Sequence, residues 1–437
     1  MKAKPKNRLY TRTRCFGIWG MLLSAGTWLG NQTNAAQNVI GLQAPPPLPQ
    51  TEDQQAQPDE MNVFQPAGGP VENSLPQIFQ YGPLKLHPSA SYSIMDGSGI
   101  QSAPGSQQDS IVQSLSLGFL VDIGPHWVFD YSPSFEFYSN KALTDTVNHN
   151  ISLNGGLEYG SWKWGFSQDS SYSTSPLVES GGETTSWNHS TGVNATRILT
   201  SNISADFSLS QNINLVDGVQ NSFDWSTSEW LNYQFWARLS AGIGVSAGYV
   251  MIEDESQTRS SVDLDQIYES ANARLNWRAT DKISFALSAG VEDRQFMTPG
   301  TENSPNPIFS ATIQYAPLKA TQVSMSASRS VSSSDYYIIA QQSETTTVSL
   351  NLDQRLFKKF SLGLGASYST TDYSVSAGSF GGASRTDDSV SLSARLSHSF
   401  FKRGTWSIFY QYSDNSSSAS GYTFASNQTG IEISYSY

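Results

Sequence analysis

Along most of its length the chain alternates apolar and polar residues with a period of two, a rhythm that only an extended strand converts into two chemically distinct faces. In the window 127–137, Trp127, Phe129, Tyr131, Phe135 and Phe137 share one parity, while Asp130, Ser132, Ser134 and Glu136 share the other. The pattern returns with Ile151, Leu153, Leu157 and Tyr159 against Ser152, Asn154 and Glu158, and again around 203–209, 283–292, 360–369 and 390–397. Serines and carboxylates opposite an aromatic row suit a wall between lipid and water. In a soluble sandwich the aromatic row would be core, and alternation alone does not separate the two.

The spacing of the strands does. Eighteen are expected, beginning near residues 84, 111, 127, 147, 160, 186, 201, 222, 237, 264, 282, 307, 320, 345, 359, 388, 405 and 427. Their connections alternate in length. Short ones carry Gly124-Pro125, Gly160-Ser161, Thr280-Asp281 and Lys358-Lys359; long ones fall at 95–109, 173–184, 252–262, 294–306, 332–344, 373–386 and 413–426. Outer-membrane barrels have short periplasmic turns and longer outer loops, whereas sandwich loops show no such parity. Eighteen strands from Leu84 to Tyr437 take about 20 residues each, room for a crossing strand of roughly 10 and its connection. The expected fold is therefore all-β: a transmembrane antiparallel up-and-down β-barrel of about 18 strands. It falls to 16 if an ambiguous hairpin lies outside the wall; the ambiguous windows are 185–197 and 222–236, and the second has Trp on both parities. No outer loop is long enough to suggest an inward-folded constriction loop.

Bulk composition conceals such a wall, since alternation mixes its apolar residues with as many polar ones. The aromatic share of 12% in a chain only 14% charged suits interfacial girdles. The amino terminus carries Lys2, Lys4, Lys6, Arg8, Arg12 and Arg14, then an apolar run over 15–30, then Thr33-Asn34-Ala35-Ala36. This reads as a secretory signal peptide over 1–35. Its loss removes Cys15, the only cysteine, and with it disulfide and thiolate chemistry. The formal charge of −12 then becomes more negative, which excludes nucleic acid as an expected partner. Residues 36–82, rich in Pro and Gln, read as a disordered periplasmic leader, leaving 83–437 for the barrel.

At the carboxy terminus Ile431, Ile433, Tyr435 and Tyr437 share one parity and Glu432, Ser434 and Ser436 the other. An aromatic-ended strand of this kind is expected to serve as the membrane-assembly signal read by the barrel-assembly machinery.

Several segments resemble a known family. Gly290-Val291-Glu292-Asp293-Arg294, the stretch from Pro307 to Pro317, Thr321 to Arg329, Arg385 to Leu392, Tyr410 to Ser417 and the terminal strand together are similar to the putative beta-barrel porin 2 family. The likeness covers the last 150 to 200 residues or so, and the first half only in rhythm. The resemblance implies a bacterial outer-membrane barrel, of a type associated with exopolysaccharide operons, and brings no catalytic motif.

Independent signs of an enzyme are lacking. His87, His126, His149, His189 and His398 stand singly, without metal-ligand spacing, and no nucleophile elbow occurs among the many serines. No cofactor is expected. The informative residues are those on the polar parity, which would enclose a lumen: Asp130, Glu136, Glu158, Lys163, Asp206, Arg274, Glu292, Arg294 and Asp353. Opposed charges there could set a transverse field for polar solutes, or could merely pair across neighbouring strands. The expected function is passive diffusion of small hydrophilic, saccharide-like solutes. The alternative is a non-conducting structural or surface-interaction barrel tied to polysaccharide export. Partners expected from this reading are the bilayer and lipopolysaccharide, the latter through cations bridged by acidic loops such as Glu253-Asp254-Glu255 and Glu179.

Overall fold

The computed structural model describes residues 79–437, apart from 104, 178–181, 218–219, 255–263, 298–303, 334–339, 358, 376–383 and 402. The expected signal peptide, nearly all of the leader, Glu179, Glu255 and Lys358 lie outside the described residues. Eighteen strands make a single closed wall. Each pairs antiparallel with its chain neighbours, as up-and-down topology requires. The ring closes where β19 (Phe424–Ser436) pairs with β2 (Leu84–Ala103), from Asn427↔Ser98 to Ser436↔Ser89. A two-residue strand, β1 (Gln80–Tyr81), pairs only with the start of β2. Closure leaves no long edge whose backbone donors and acceptors would face hydrocarbon.

Between the ends of the ring run β3 (Ser106–Ile123), β4 (Trp127–Tyr138), β5 (Thr146–Tyr159), β6 (Trp162–Leu177), β7 (Gly182–Ile198), β8 (Ile203–Val216) and β9 (Gln220–Trp236). They are followed by β10 (Leu239–Asp254), β11 (Gln266–Thr280), β12 (Ile283–Phe296), β13 (Ser304–Leu318) and β14 (Thr321–Ser332). The last are β15 (Ala340–Leu356), β16 (Phe360–Val375), β17 (Arg385–Phe400) and β18 (Gly404–Ser417). Both ambiguous windows are wall strands, β7 and β9, which settles the number at eighteen rather than sixteen. The two Trp parities in β9 have a simple reason: Trp225 stacks outside on Tyr249, and Trp230 is buried inside.

Strand starts after short turns lie within two residues of expectation. After most long connections the strands begin earlier than expected, at Ser106 rather than 111 and at Ala340 rather than 345, and the preceding strands run longer; β11 instead begins two residues late, at Gln266. The loop expected at 95–109 is thus mostly β2 and β3. The ladders continue beyond the apolar band through Ser, Gly, Gln and Thr, residues that carry no period-two signal but hydrogen-bond through their backbones equally well.

Side-chain direction follows parity. On one face lie exposed apolar residues such as Ile151, Leu209, Ile243, Leu350 and Ile433; on the other lie serines, amides and charged groups. The polar face is the concave one, because its side chains touch across strands that are not neighbours: Arg274 on β11 reaches Asp206 on β8, and Tyr268 on β11 reaches Asp224 on β9. Such chords exist only inside a ring.

Candidate pore interior

All nine polar-parity candidates lie on the interior face, but in different company. Asp130 accepts a hydrogen bond from Ser132 at 2.8 Å and has no ion-pair partner among the described residues. Glu136 accepts from the hydroxyls of Tyr138 and Thr146 at 2.9 and 3.4 Å. Asp353 sits opposite Gln322 and Gly363, again with no ion pair described. The other six form three pairs: Glu158 with Lys163 at 3.0 Å, Asp206 with Arg274, and Glu292 with Arg294 at 2.8 Å. Pairing within the wall therefore accounts for most of the charge that the polar parity carries.

The pair on β8 and β11 shows how the interior is built. Between them, β10 presents Gly242, Gly244 and Gly248 inward, so beside Asn232, Trp230 and Tyr268 its inner surface is backbone. A Cβ on Gly244 would sit 2.4 Å from Trp230 Cδ2 and 2.6 Å from the Glu229 carbonyl oxygen. Its absence lets the indole lie flat on the strand. The Arg274 guanidinium then covers the indole at 4.4 Å from the ring centre, and its Nε donates to Asn232 at 2.7 Å. Asn232 in turn donates to Asp206 at 2.7 Å. Trp230 is thus covered on both faces, which removes it as a stacking platform for a sugar.

Arg294 closes a different gap. It donates to Glu292 and to Gln266 Oε1, and lies 4.8 Å above the Tyr268 ring. It also donates to the Val331 carbonyl oxygen at 3.3 Å. The β13–β14 ladder starts only at Phe309↔Arg329; continued by two residues it would set Pro307 opposite Val331. Proline has no N–H to give, and the guanidinium supplies a donor from inside the barrel.

The structure adds interior charges that parity reading passed over. Asp169 on β6 pairs across Ser152 with Asp130, and shares its face with Lys163, so extending that strand's parity would have found it. Arg395 pairs with Glu432 and donates to Ser407 at 2.9 Å. Arg385 pairs with Asp387 and is sandwiched between Tyr373 and Tyr422, with ring centres at 4.8 and 3.8 Å. It was missed because 373–386 reads as a loop. Among the described residues no three metal-ligating side chains converge.

Outside, Ile431, Ile433 and Tyr435 are exposed, and Tyr437 is held by the Phe79 ring and by the Arg403 guanidinium 3.6 Å above it. Carboxylates also occur on the outer parity: Glu229 on β9 shares its parity with Leu231, between Trp225 and Tyr233, and Glu269 and Asp293 face each other outside on β11 and β12. The acidic pair Glu253 and Asp254 ends β10.

Residues 252–437 match the family model described as Putative beta-barrel porin 2. No curated protein matches the chain. Among solved structures, OccK2 (OpdF) of Pseudomonas aeruginosa in complex with glucuronate is similar at 10% identity and a TM-score of 0.43, over 80% of this chain and 98% of that one. Acinetobacter baumannii OccAB3 gives 9% identity and 0.42, over 80% and 99%. The siderophore receptor PirA of P. aeruginosa gives 8% identity and 0.42, over 80% of each chain.

Proposed function

We propose that this closed barrel, whose last 186 residues or so match a porin family model, is a bacterial outer-membrane channel for passive diffusion of small hydrophilic solutes. The observation that carries the reading is the inner face of β4 to β8. There Ser132, Ser134, Asn154, Ser167, Asn194, Ser208 and Asn212 are half-exposed, and Asp169 is exposed, all on the concave side of a wall whose other face is apolar. Hydroxyls and amides at that density hydrate readily, and a ring of eighteen strands is too wide for its own side chains to fill. Short turns then face the periplasm and long connections the exterior. The acidic end of β10 supports cation-bridged contact with lipopolysaccharide there.

The uncompensated acids of this face make the path favour cations. In planar bilayers a steady single-channel current is expected. Asp130→Asn combined with Asp169→Asn should shift the reversal potential toward anions; an unchanged potential would remove these residues from the path.

One observation favours the second reading, a non-conducting barrel serving polysaccharide export as a scaffold. Six apolar side chains form a packed cluster inside the ring at its long-loop end. A barrel that passes no current, in wild type and in variants that loosen this cluster, would select that reading.

A further inference from the structure

The end of β2 does not follow the wall. Its ladder with β3 slips between Gly97 and Ile100 and again between Gln101 and Ala103. At the first slip Gly99 takes φ +72°, and a Cβ there would meet the Ala425 carbonyl oxygen at 1.9 Å, so only glycine lets the strand press against β19. The Gly99 amide donates to Asp109 at 3.0 Å, and at the hairpin tip the Gly105 amide donates to the Gly421 carbonyl oxygen at 2.7 Å. The loop 139–145 joins from the other side, where Asn140 donates to Gln108 Oε1 at 3.2 Å and to the Asp109 carbonyl at 3.0 Å.

Underneath, Ile100 is buried with Met95, Val112, Tyr138, Leu143 and Phe409. Val112, Tyr138 and Phe409 are on the interior parity of β3, β4 and β18, so this cluster stands on the inner surface, where most of the wall is polar. β2 also comes against β6 and β7, although three strands separate it from β6 around the ring. Contact across that many strands places the end of β2 over the bore rather than in the wall.

We propose that the in-folded β2–β3 end, seated on this apolar cluster and tied to loop 139–145, is the constriction that sets the size of solute the bore admits. A strand end does here what a long loop would otherwise do, and the dry seat beneath it is what holds it in the mouth. The inference rests on the channel reading.

The test is single-channel conductance in planar bilayers, with exclusion of neutral polyethylene glycols of graded size as a second readout. Ile100→Asn and, separately, Leu143→Ser place a polar group in the seat without touching the polar wall. Each should raise conductance about twofold or more and admit larger polymers. Adding Gln108→Cys with Asn140→Cys to either variant, in a Cys15→Ser background, ties the hairpin to the loop. Oxidation should return conductance to the wild-type level, and reductant should release it. The same cysteine pair in the otherwise wild-type chain keeps the test usable if a seat variant fails to fold: reduction and oxidation should leave its size cutoff unchanged. Wild-type current with the same cutoff in both seat variants overturns the constriction and leaves the channel standing. No current from any of these proteins overturns the channel reading itself.

Discussion

Two arcs of the same ring use one sequence rule to opposite ends. On β4 to β8 the inward residues are small, polar and half-exposed, with acids that outnumber their partners. Across the closing seam, on β17 to β19 and β2 to β3, the inward residues are packed: Val112 and Asn415 are 0% exposed, Phe409 1%, and Ser407 and Ser426 2%. Arg395 lies there between Glu432, Ser407 and the Phe409 ring. The seam is where the last strand must find the first across the whole chain, the contact with the greatest loop-closure cost. Packing and buried ion pairs at that joint fix its register, while the opposite arc is left free to carry water. Period-two alternation specifies which residues turn inward. It does not specify whether what they turn toward is solvent or protein.

The largest expected contrast comes from removing one carboxylate from each arc. Glu432→Ala leaves the Arg395 guanidinium buried without its partner and should cost about 3–5 kcal/mol. Glu158→Ala removes a carboxylate 71% exposed, paired with a half-exposed lysine, and should cost below about 1 kcal/mol. Denaturant unfolding in detergent micelles measures both, and equal losses would erase the distinction between the arcs. Next comes the bare strand between them: Gly244→Val forces the Trp230 indole off β10 and should destabilise by about 1–3 kcal/mol, with a change in tryptophan fluorescence. An unaltered spectrum would mean that the indole does not need the glycine.

Glu229 sharpens the comparison from outside. Set on the lipid-facing parity between Trp225 and Tyr233, its carboxylate is poorly solvated, and Glu229→Leu should stabilise the barrel in lipid by about 1–2 kcal/mol. The smallest effect concerns loop 139–145. The Tyr138 backbone amide donates to Asp145 at 2.8 Å and, with Lys141 at 3.3 Å, holds its carboxyl below the usual carboxylate range. A lowered folded-state value contributes order that is present above the unfolded carboxylate value near 4, and is lost as pH falls through the folded one. Faster exchange of the Tyr138 amide should appear only in that acid window, and Asp145→Asn should abolish the pH dependence.

Much of this architecture was legible in the chain. Alternation gave the inward parity of Asp130, Glu136 and Asp206, and the rhythm of short and long connections gave the number of strands. Three things were not. Strand ends beyond the apolar band were hidden because Ser- and Gly-rich ladders have no hydrophobic period, which is why Arg385 and Asp387 read as loop. Ion pairing between β8 and β11 was invisible because it depends on the glycines of β10, one of the two strands between. The apolar seat was hidden because Phe409 on β18 is remote in sequence from Met95 and Val112 on β2 and β3, and each looks like a single break in its own pattern.

The most direct measurement is a cysteine scan of β8, residues 204–212, in a Cys15→Ser background, probed in intact outer membranes with a small water-soluble thiol reagent. Positions 204, 206, 208, 210 and 212 should react and the odd positions between them should not. Uniform reactivity along the strand, or none at the even positions, would contradict a wall with a wet inner face.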